Sequence, residues 1–124
     1  MLFKDLLWVG IGGALGSISR YFGQRLLSQL FPQSFPVGTI TVNILGCFLI
    51  GILYGLSNKY EYFTPEFRLL MMTGFCGGFT TFSAFTLEGM QLLNQQRFLI
   101  FTLYFVLSVF IGLIATFMGN WITE

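Results

Sequence analysis

Histidine is absent from this 124-residue chain, and charge is scarce: six Lys or Arg and five Asp or Glu give a formal net charge of +1. No basic arm is present, which argues against a nucleic-acid partner. The acids lie between apolar stretches or at their ends, and none is paired with a nucleophile. We therefore expect a protein that is not an enzyme and that binds no nucleic acid.

Cysteine is also rare, with only Cys47 and Cys76, each inside an apolar stretch. Neither belongs to a Cys-x-x-Cys pair, and there is no histidine to complete a metal site. Free cysteines commonly behave as small packing residues. We interpret both in this way rather than as redox or metal-binding groups.

Long uncharged runs dominate the chain, of which 55% is hydrophobic. A bilayer core takes about 20 apolar residues per helix. Three runs supply that length nearly unaided, and the first does so only if Arg20 lies in the membrane or at its edge. The pattern predicts an all-α, multi-pass integral membrane protein, with residues 1–124 as a single four-helix transmembrane domain in the lipid bilayer. The runs are Leu6–Ser19, Leu26–Asn58, Leu69–Leu87 and Phe98–Thr123.

Local signals set the expected helix ends. The prolines of "FPQSFP" forbid continuation of helix one. Thr64, Pro65 and Glu66 are typical of an N-cap, a first-turn proline and a first-turn acid, so helix three begins there. The polar turn "NQQR" precedes helix four. We predict helices from about Leu2 to Leu27, from Gly38 to Ser57, from Pro65 to Met90, and over most of the chain after Arg97.

The basic residues do not fix an orientation in the membrane. With four spans, one side would hold Lys4, Lys59 and Arg68, and the other Arg25, Arg97 and, if it reaches the interface, Arg20. The usual Lys/Arg bias is therefore missing. Either another cue sets one orientation, or the chain inserts both ways and forms an antiparallel homodimer. Four short helices leave no lined pathway between them, so a transport route would need a second subunit.

Small residues suit close helix contacts, with Gly12 and Gly16 on helix one and Gly51 and Gly55 on helix two. Arg20 follows Gly16 by one turn and shares the glycine face, so we expect it to point at protein rather than lipid. Its role is either a structural hydrogen bond or snorkelling to the interface.

Polar residues inside the apolar runs have two interpretations. Asn43, one turn after Thr39 on helix two, is the only carboxamide deep in a span, and it serves either as an interhelical hydrogen bond or as a pathway lining. A slowly winding stripe on helix four is likewise either a tight helix contact or one wall of a wet path. The stripe comprises Tyr104, Ser108, Gly112, Thr116 and Asn120.

The segment "GGFTTFSAF", Gly77 to Phe85, places glycines and hydroxyl residues near the middle of helix three. It is either a bent but continuous helix, a broken helix that exposes carbonyls to protein or a cavity, or a break on a two-fold axis where two subunits share a cation. Phe82 and Phe85 follow at helical spacing, and their positive ring edges would favour a small anion if they do not simply face lipid.

Three strings together resemble the CrcB/Fluc fluoride channel family: "GGALGSISRY", "GTITVNILGCFLIG" and above all "TGFCGGFTTFSAFTLE". The resemblance covers essentially the whole chain. It implies a fluoride-selective channel of the cell membrane that exports cytoplasmic fluoride passively through two pathways. It also implies an antiparallel, dual-topology homodimer with a central structural Na⁺ at the break in helix three.

The resemblance also implies roles for individual residues. The carbonyls of Gly77 and Thr80 from both subunits would bind Na⁺, and Arg20 matches the structural arginine of helix one. The remaining candidates belong to the fluoride pathway, with Asn43, Phe82 and Phe85 matching its central positions and polar residues around them. These polar residues are Ser83, Tyr104 and Ser108, to which Thr39 is added as the neighbour of Asn43.

Two other functions stay open for the sequence alone. One is a small dual-topology drug exporter, which would require a membrane-embedded carboxylate that no acid here supplies. The other is a non-transporting membrane assembly protein whose polar stripes only hold helices together.

Overall fold

The computed structural model describes residues 2–32 and 34–124, and these residues form helices and connecting turns without a strand. Helix α1 covers Leu2–Leu30 and α2 covers Val37–Lys59. Helix α3, residues 65–79, joins a first turn at Pro65–Arg68, a π-helical stretch at Leu69–Cys76 and a last turn at Gly77–Phe79. Helix α4 covers Phe82–Asn94 and α5 covers Phe98–Ile122. The first, second and third predicted helices all extend a few residues beyond their predicted C-terminal ends.

Among the residues that the structure describes, three helical segments are long and apolar enough to cross a membrane: Val37–Lys59, Pro65–Asn94 (which contains both α3 and α4) and Phe98–Ile122. Helix α1 is long, with 29 residues, but it carries Lys4, Asp5, Arg20 and Arg25 as well as several glycines. These residues lower its apolarity, so it is not among the three. The chain is a multi-pass membrane protein.

The start of α3 confirms the capping signal in the sequence. Thr64 has an extended backbone, and its hydroxyl accepts a hydrogen bond from the Phe67 N–H at 3.2 Å, with Pro65 in the first turn. This bond satisfies one of the free amides that every helix presents at its N-terminus.

Glycines bring α1 against α3, as the small-residue pattern predicts. Gly12 and Gly16 are buried, and a Cβ atom on either would collide with α3 backbone, at the Leu70 carbonyl and the Phe75 carbonyl respectively. Gly78 of α3 makes the equivalent contact with α1, because a Cβ there would collide with the Gly13 carbonyl. The two backbones therefore lie as close as glycine allows.

Helices α2 and α5 pack through a second set of small residues. A Cβ on Gly51 would collide with the Thr116 carbonyl, and a Cβ on Gly119 would collide with the Phe48 carbonyl. The Thr116 hydroxyl donates to the Cys47 carbonyl at 3.0 Å. The C-terminal half of the polar stripe is thus a tight helix contact.

Gly16→Ala tests the α1–α3 contact. The added methyl would collide with the Phe75 carbonyl, so we expect a loss of about 1–3 kcal/mol in stability, the usual cost of overpacking. The measurement is the midpoint of unfolding in mixed detergent micelles. Gly10→Ala is the matched control, because nothing lies within 4 Å of a Cβ there and helix propensity alone would raise stability. Equal midpoints for both variants would contradict the contact.

Candidate functional site

The third span is a broken helix and not a bent continuous one. Helix α3 ends at Phe79, and α4 begins at Phe82. Between them Thr80 (φ −93°, ψ 156°) and Thr81 (φ −148°, ψ 121°) are extended. An extended pair inside a membrane span leaves backbone groups that protein must satisfy, because lipid cannot.

Asn43 of α2 satisfies both backbone groups of Thr81. The Thr81 N–H donates to Asn43 Oδ1 at 2.7 Å, and Asn43 Nδ2 donates to the Thr81 carbonyl at 3.1 Å. A carboxamide nitrogen carries two hydrogens, so one donor is used here and the other is left. Asn43 therefore forms the interhelical bond considered above and keeps a donor for another partner.

The break releases the two carbonyls to which the family resemblance gives the role of cation ligands. In a continuous helix, the Gly77 carbonyl would accept from the Thr81 N–H and the Thr80 carbonyl from the Ala84 N–H. Here the Thr81 N–H bonds Asn43, and the Ala84 N–H bonds the Thr81 hydroxyl at 3.2 Å. Open space also lies beside Gly77, where a Cβ would meet nothing within 4 Å. Both oxygens have lost their helical partners.

Arg20 holds the break from the side of α1. Its Nε donates to the Gly78 carbonyl at 2.9 Å, and its Nη1 reaches Gln24 Oε1 at 3.5 Å. Gln24 in turn donates to the Thr39 hydroxyl at 3.0 Å. Arg20 thus makes a structural hydrogen bond to protein, and its charge faces a freed carbonyl.

An open groove of about 510 Å³ lies along the break. It contains six of the predicted site residues: Asn43, Gly77, Thr80, Phe82, Phe85 and Ser108. Of the described residues that line it, none carries a charge.

Two residues of this groove differ from the rest of its lining. Ser108 Oγ is buried and makes no hydrogen bond within the described chain. Phe82 is 76% exposed although it lies beside the break, whereas its neighbour Phe85 is buried, with the two ring centroids 5.9 Å apart. The two phenylalanines therefore line one groove but do not share one environment.

A second cavity of about 630 Å³ is formed by the C-terminal part of α1, the start of α2 and α4. It includes Thr39, Arg25, Glu88 and Arg97 in its wall. We call it the vestibule. Thr39 therefore lies away from the groove, one turn beyond Asn43.

Tyr104 connects the two cavities without lining either one. Its side chain is fully buried, its ring packs edge-on against Phe85 at 5.1 Å, and its hydroxyl donates to Glu88 Oε1 at 3.2 Å. Ser83 is exposed, with its hydroxyl 3.4 Å from that of Thr81, and it also lies outside both linings. The groove thus gathers four of the seven predicted pathway residues, while Thr39, Tyr104 and Ser83 lie outside its lining.

Sequence reasoning did not assign roles to Thr81 and Gln24. Thr81 is both the partner of Asn43 and the N-cap of α4. A threonine three residues before the amide that it caps is a recognisable N-cap signal. Gln24 links Arg20 to Thr39, and no local pattern marks it.

Comparisons with known proteins agree with the strings in the sequence. Residues 7–120 match the family described as "CrcB-like protein, Camphor Resistance (CrcB)". A protein of Leptospira interrogans named "Fluoride-specific ion channel FluC" is 44% identical over 98% of this chain and 95% of its own length. Proteins of the same name from Gloeothece citriformis (43% identical, 97% of each chain) and Flavobacterium psychrophilum (42% identical, 94% of each chain) are similarly alike.

Asn43→Ala tests the bond that holds the break. Both Thr81 backbone groups would lose their partner, which costs about 1–3 kcal/mol for a buried group, so we expect faster hydrogen exchange at residues 80–85. The measurement is exchange mass spectrometry in detergent. Thr41→Ala, on the same helix and without a side-chain bond to the break, is the control. Unchanged protection at these residues in Asn43→Ala would show that something else holds the break.

Proposed function

The chain belongs to the CrcB-like family, and from that membership we propose that it is a fluoride-selective ion channel and not an enzyme. It exports cytoplasmic fluoride passively across the cell membrane. Each subunit crosses the membrane with four helices, α1 included, and two subunits form an antiparallel homodimer with a central structural Na⁺.

The neutral donor set in the groove is the observation that supports this function best. Fluoride is small and strongly hydrated, so a pathway must replace its water with donors. The free Asn43 N–H, the unpartnered Ser108 hydroxyl and the edges of the Phe82 and Phe85 rings are such donors. A basic side chain would hold the ion too strongly for rapid passage, and none of the described residues that line the groove is basic.

The route from the vestibule to the groove supplies the other polar groups of the proposed pathway. Arg25 and Arg97 in the vestibule wall would raise the local concentration of anions. From there, Thr39 lies in the vestibule wall, and the buried Tyr104 joins Glu88 of that wall to Phe85 of the groove. Ser83, beside the Thr81 hydroxyl, extends it at the start of α4.

A second copy of the chain would complete the groove. The groove is open along the break, and the exposed Phe82 ring stands at its edge. The balanced basic residues are compatible with insertion in both orientations. An antiparallel partner would place its own break opposite this one, near the middle of the membrane.

The freed carbonyls fit a structural Na⁺. A hard cation prefers oxygen ligands, and exposed carbonyls of broken helices bind Na⁺ in membrane proteins. Gly77 and Thr80 of each subunit would hold the ion, since neither carbonyl has its helical partner. A bound Na⁺ would supply a fixed positive charge next to the anion route and join the two subunits.

The two alternative functions explain less of the site. A drug exporter needs a membrane-embedded carboxylate to bind its cation, and none of the described residues that line the groove is Asp or Glu. A purely structural bundle would use its polar groups between helices, yet Ser108 Oγ is buried without a partner. A hydroxyl in that position is better explained as part of a pathway.

Fluoride efflux from liposomes tests the channel. We expect fast fluoride efflux and negligible chloride efflux from the wild type, because the donors replace the hydration shell of the smaller ion. Asn43→Ala, Phe82→Ile and Ser108→Ala should each slow fluoride efflux. Thr102→Val is the control, since that exposed hydroxyl bonds only the Phe98 carbonyl of its own helix.

Two results would contradict the channel. One is chloride efflux as fast as fluoride efflux in the wild type. The other is wild-type fluoride efflux in all three groove variants. The first result would refute fluoride selectivity, and the second would show that fluoride does not pass through this groove.

Removal of Na⁺ tests the cation site separately. Purification with a large organic cation in place of Na⁺ should lower both the fluoride efflux and the thermal unfolding temperature, because the carbonyls of Gly77 and Thr80 would lose their ligand. Restoring Na⁺, but not K⁺, should recover both. Indifference of both quantities to Na⁺ would show that the break is held by packing and the Asn43 bonds alone.

A further inference from the structure

Three sulfur atoms belong to residues that line the groove: Cys47 on α2, and Met72 and Cys76 on α3. Both cysteines are free. Cys76 is 2% exposed and packs in the same cluster as Met72. The sequence alone favours packing roles for the cysteines, because it does not show that two thiols and a thioether share one cavity.

Packing places these side chains along one wall of the groove. The Cys47 sulfur lies on the side of α5, because a Cβ built on Gly112 would be 3.5 Å from it, at ordinary contact distance. Cys76 and Met72 pack in one cluster with Ile50 of α2.

The ligand chemistry selects one class of metal ion. Thiolate and thioether sulfurs are soft ligands that favour soft ions such as Cu⁺. Within residues 2–32 and 34–124, no group of three His, Cys, Asp or Glu side chains comes together, so a typical zinc site is not built. In a poorly solvated site one thiolate neutralises a monovalent ion, whereas a divalent ion would leave an uncompensated charge.

We propose that Cys47, Met72 and Cys76 form a binding site for a soft monovalent cation, Cu⁺ or Ag⁺, in the wall of the groove. As the metal–sulfur bond forms, one thiol releases its proton to the solvent. The metal keeps its oxidation state, and the second thiol and the thioether bind as neutral ligands.

The position of this site predicts inhibition. A bound metal joins α2 to α3 immediately before Gly77. The Cys76 carbonyl accepts the bonds of the Thr80 N–H and hydroxyl at 3.0 and 2.8 Å, so the metal would restrain the break and narrow the groove. This effect on flux depends on the proposed channel function, whereas metal binding does not.

Titration of the purified full-length protein with silver nitrate, in a chloride-free nitrate buffer, tests the site. We expect saturable binding at a single site per chain, as measured by calorimetry and native mass spectrometry. Cys47→Ser and Met72→Leu should weaken it by about tenfold or more, the lower end of the loss caused by removing even an outer-shell partner of a metal. Met118→Leu, at an exposed methionine of α5, should bind as the wild type does.

Leucine replaces methionine at similar volume, so Met72→Leu keeps the test decisive even if a cysteine variant does not fold. Absence of saturable binding in the wild type would overturn the site, as would undiminished binding in Cys47→Ser and Met72→Leu.

A flux measurement on the same protein separates the two proposals. Fluoride efflux that silver slows in the wild type, and slows much less in Met72→Leu, would support inhibition at this site. Efflux that silver leaves unchanged in protein that binds it would overturn the inhibition. Silver binding by a wild type that shows no fluoride efflux without the metal would refute the channel and leave the metal site standing.

Discussion

The bond pair between Asn43 and Thr81 is the interaction on which the rest of the site depends. A chain that leaves helical geometry inside a bilayer exposes amides and carbonyls that lipid cannot satisfy. One carboxamide on α2 satisfies both groups of Thr81. Because the Thr81 amide then bonds a side chain, the Gly77 carbonyl loses its helical partner. Because the Thr81 hydroxyl caps α4, the Thr80 carbonyl loses its partner as well. The freed oxygens thus result from the same bonds that stabilise the break.

Helix α1 makes the break possible from the opposite side. Its glycines let its backbone reach α3, and at that short distance Arg20 can donate to the Gly78 carbonyl. An arginine at this depth is costly unless its charge meets polar groups, and carbonyls released by a broken helix are such groups. Arg20 and the glycines, which contribute to the low apolarity of α1, are therefore explained by its contact with the break.

Much of this arrangement could be predicted from the sequence, because it depends on local chemistry. The cap at Thr64, the glycine contacts of Gly12 and Gly16, and the unusual composition of residues 77–85 are all readable along the chain. What could not be predicted is which side chain forms a hydrogen bond with which backbone amide. Asn43 and Thr81 lie 38 residues apart, and their pairing depends on how α2 rotates against the break. The stripe on α5 divides for the same reason: Thr116 faces the Cys47 carbonyl, while Ser108, two turns earlier, faces the groove.

Asn43 has both a structural role and a proposed role in binding the anion, so replacing it does not separate the two. Its carboxamide supports the break with one donor and one acceptor, and only the remaining N–H is available to an anion. A loss of function on replacing it combines a structural effect with the loss of a ligand. Ser108 differs because its hydroxyl makes no bond within the described chain, so its removal subtracts a donor and little else. The functional meaning of the groove therefore depends more on the unpartnered serine than on the asparagine that shapes it.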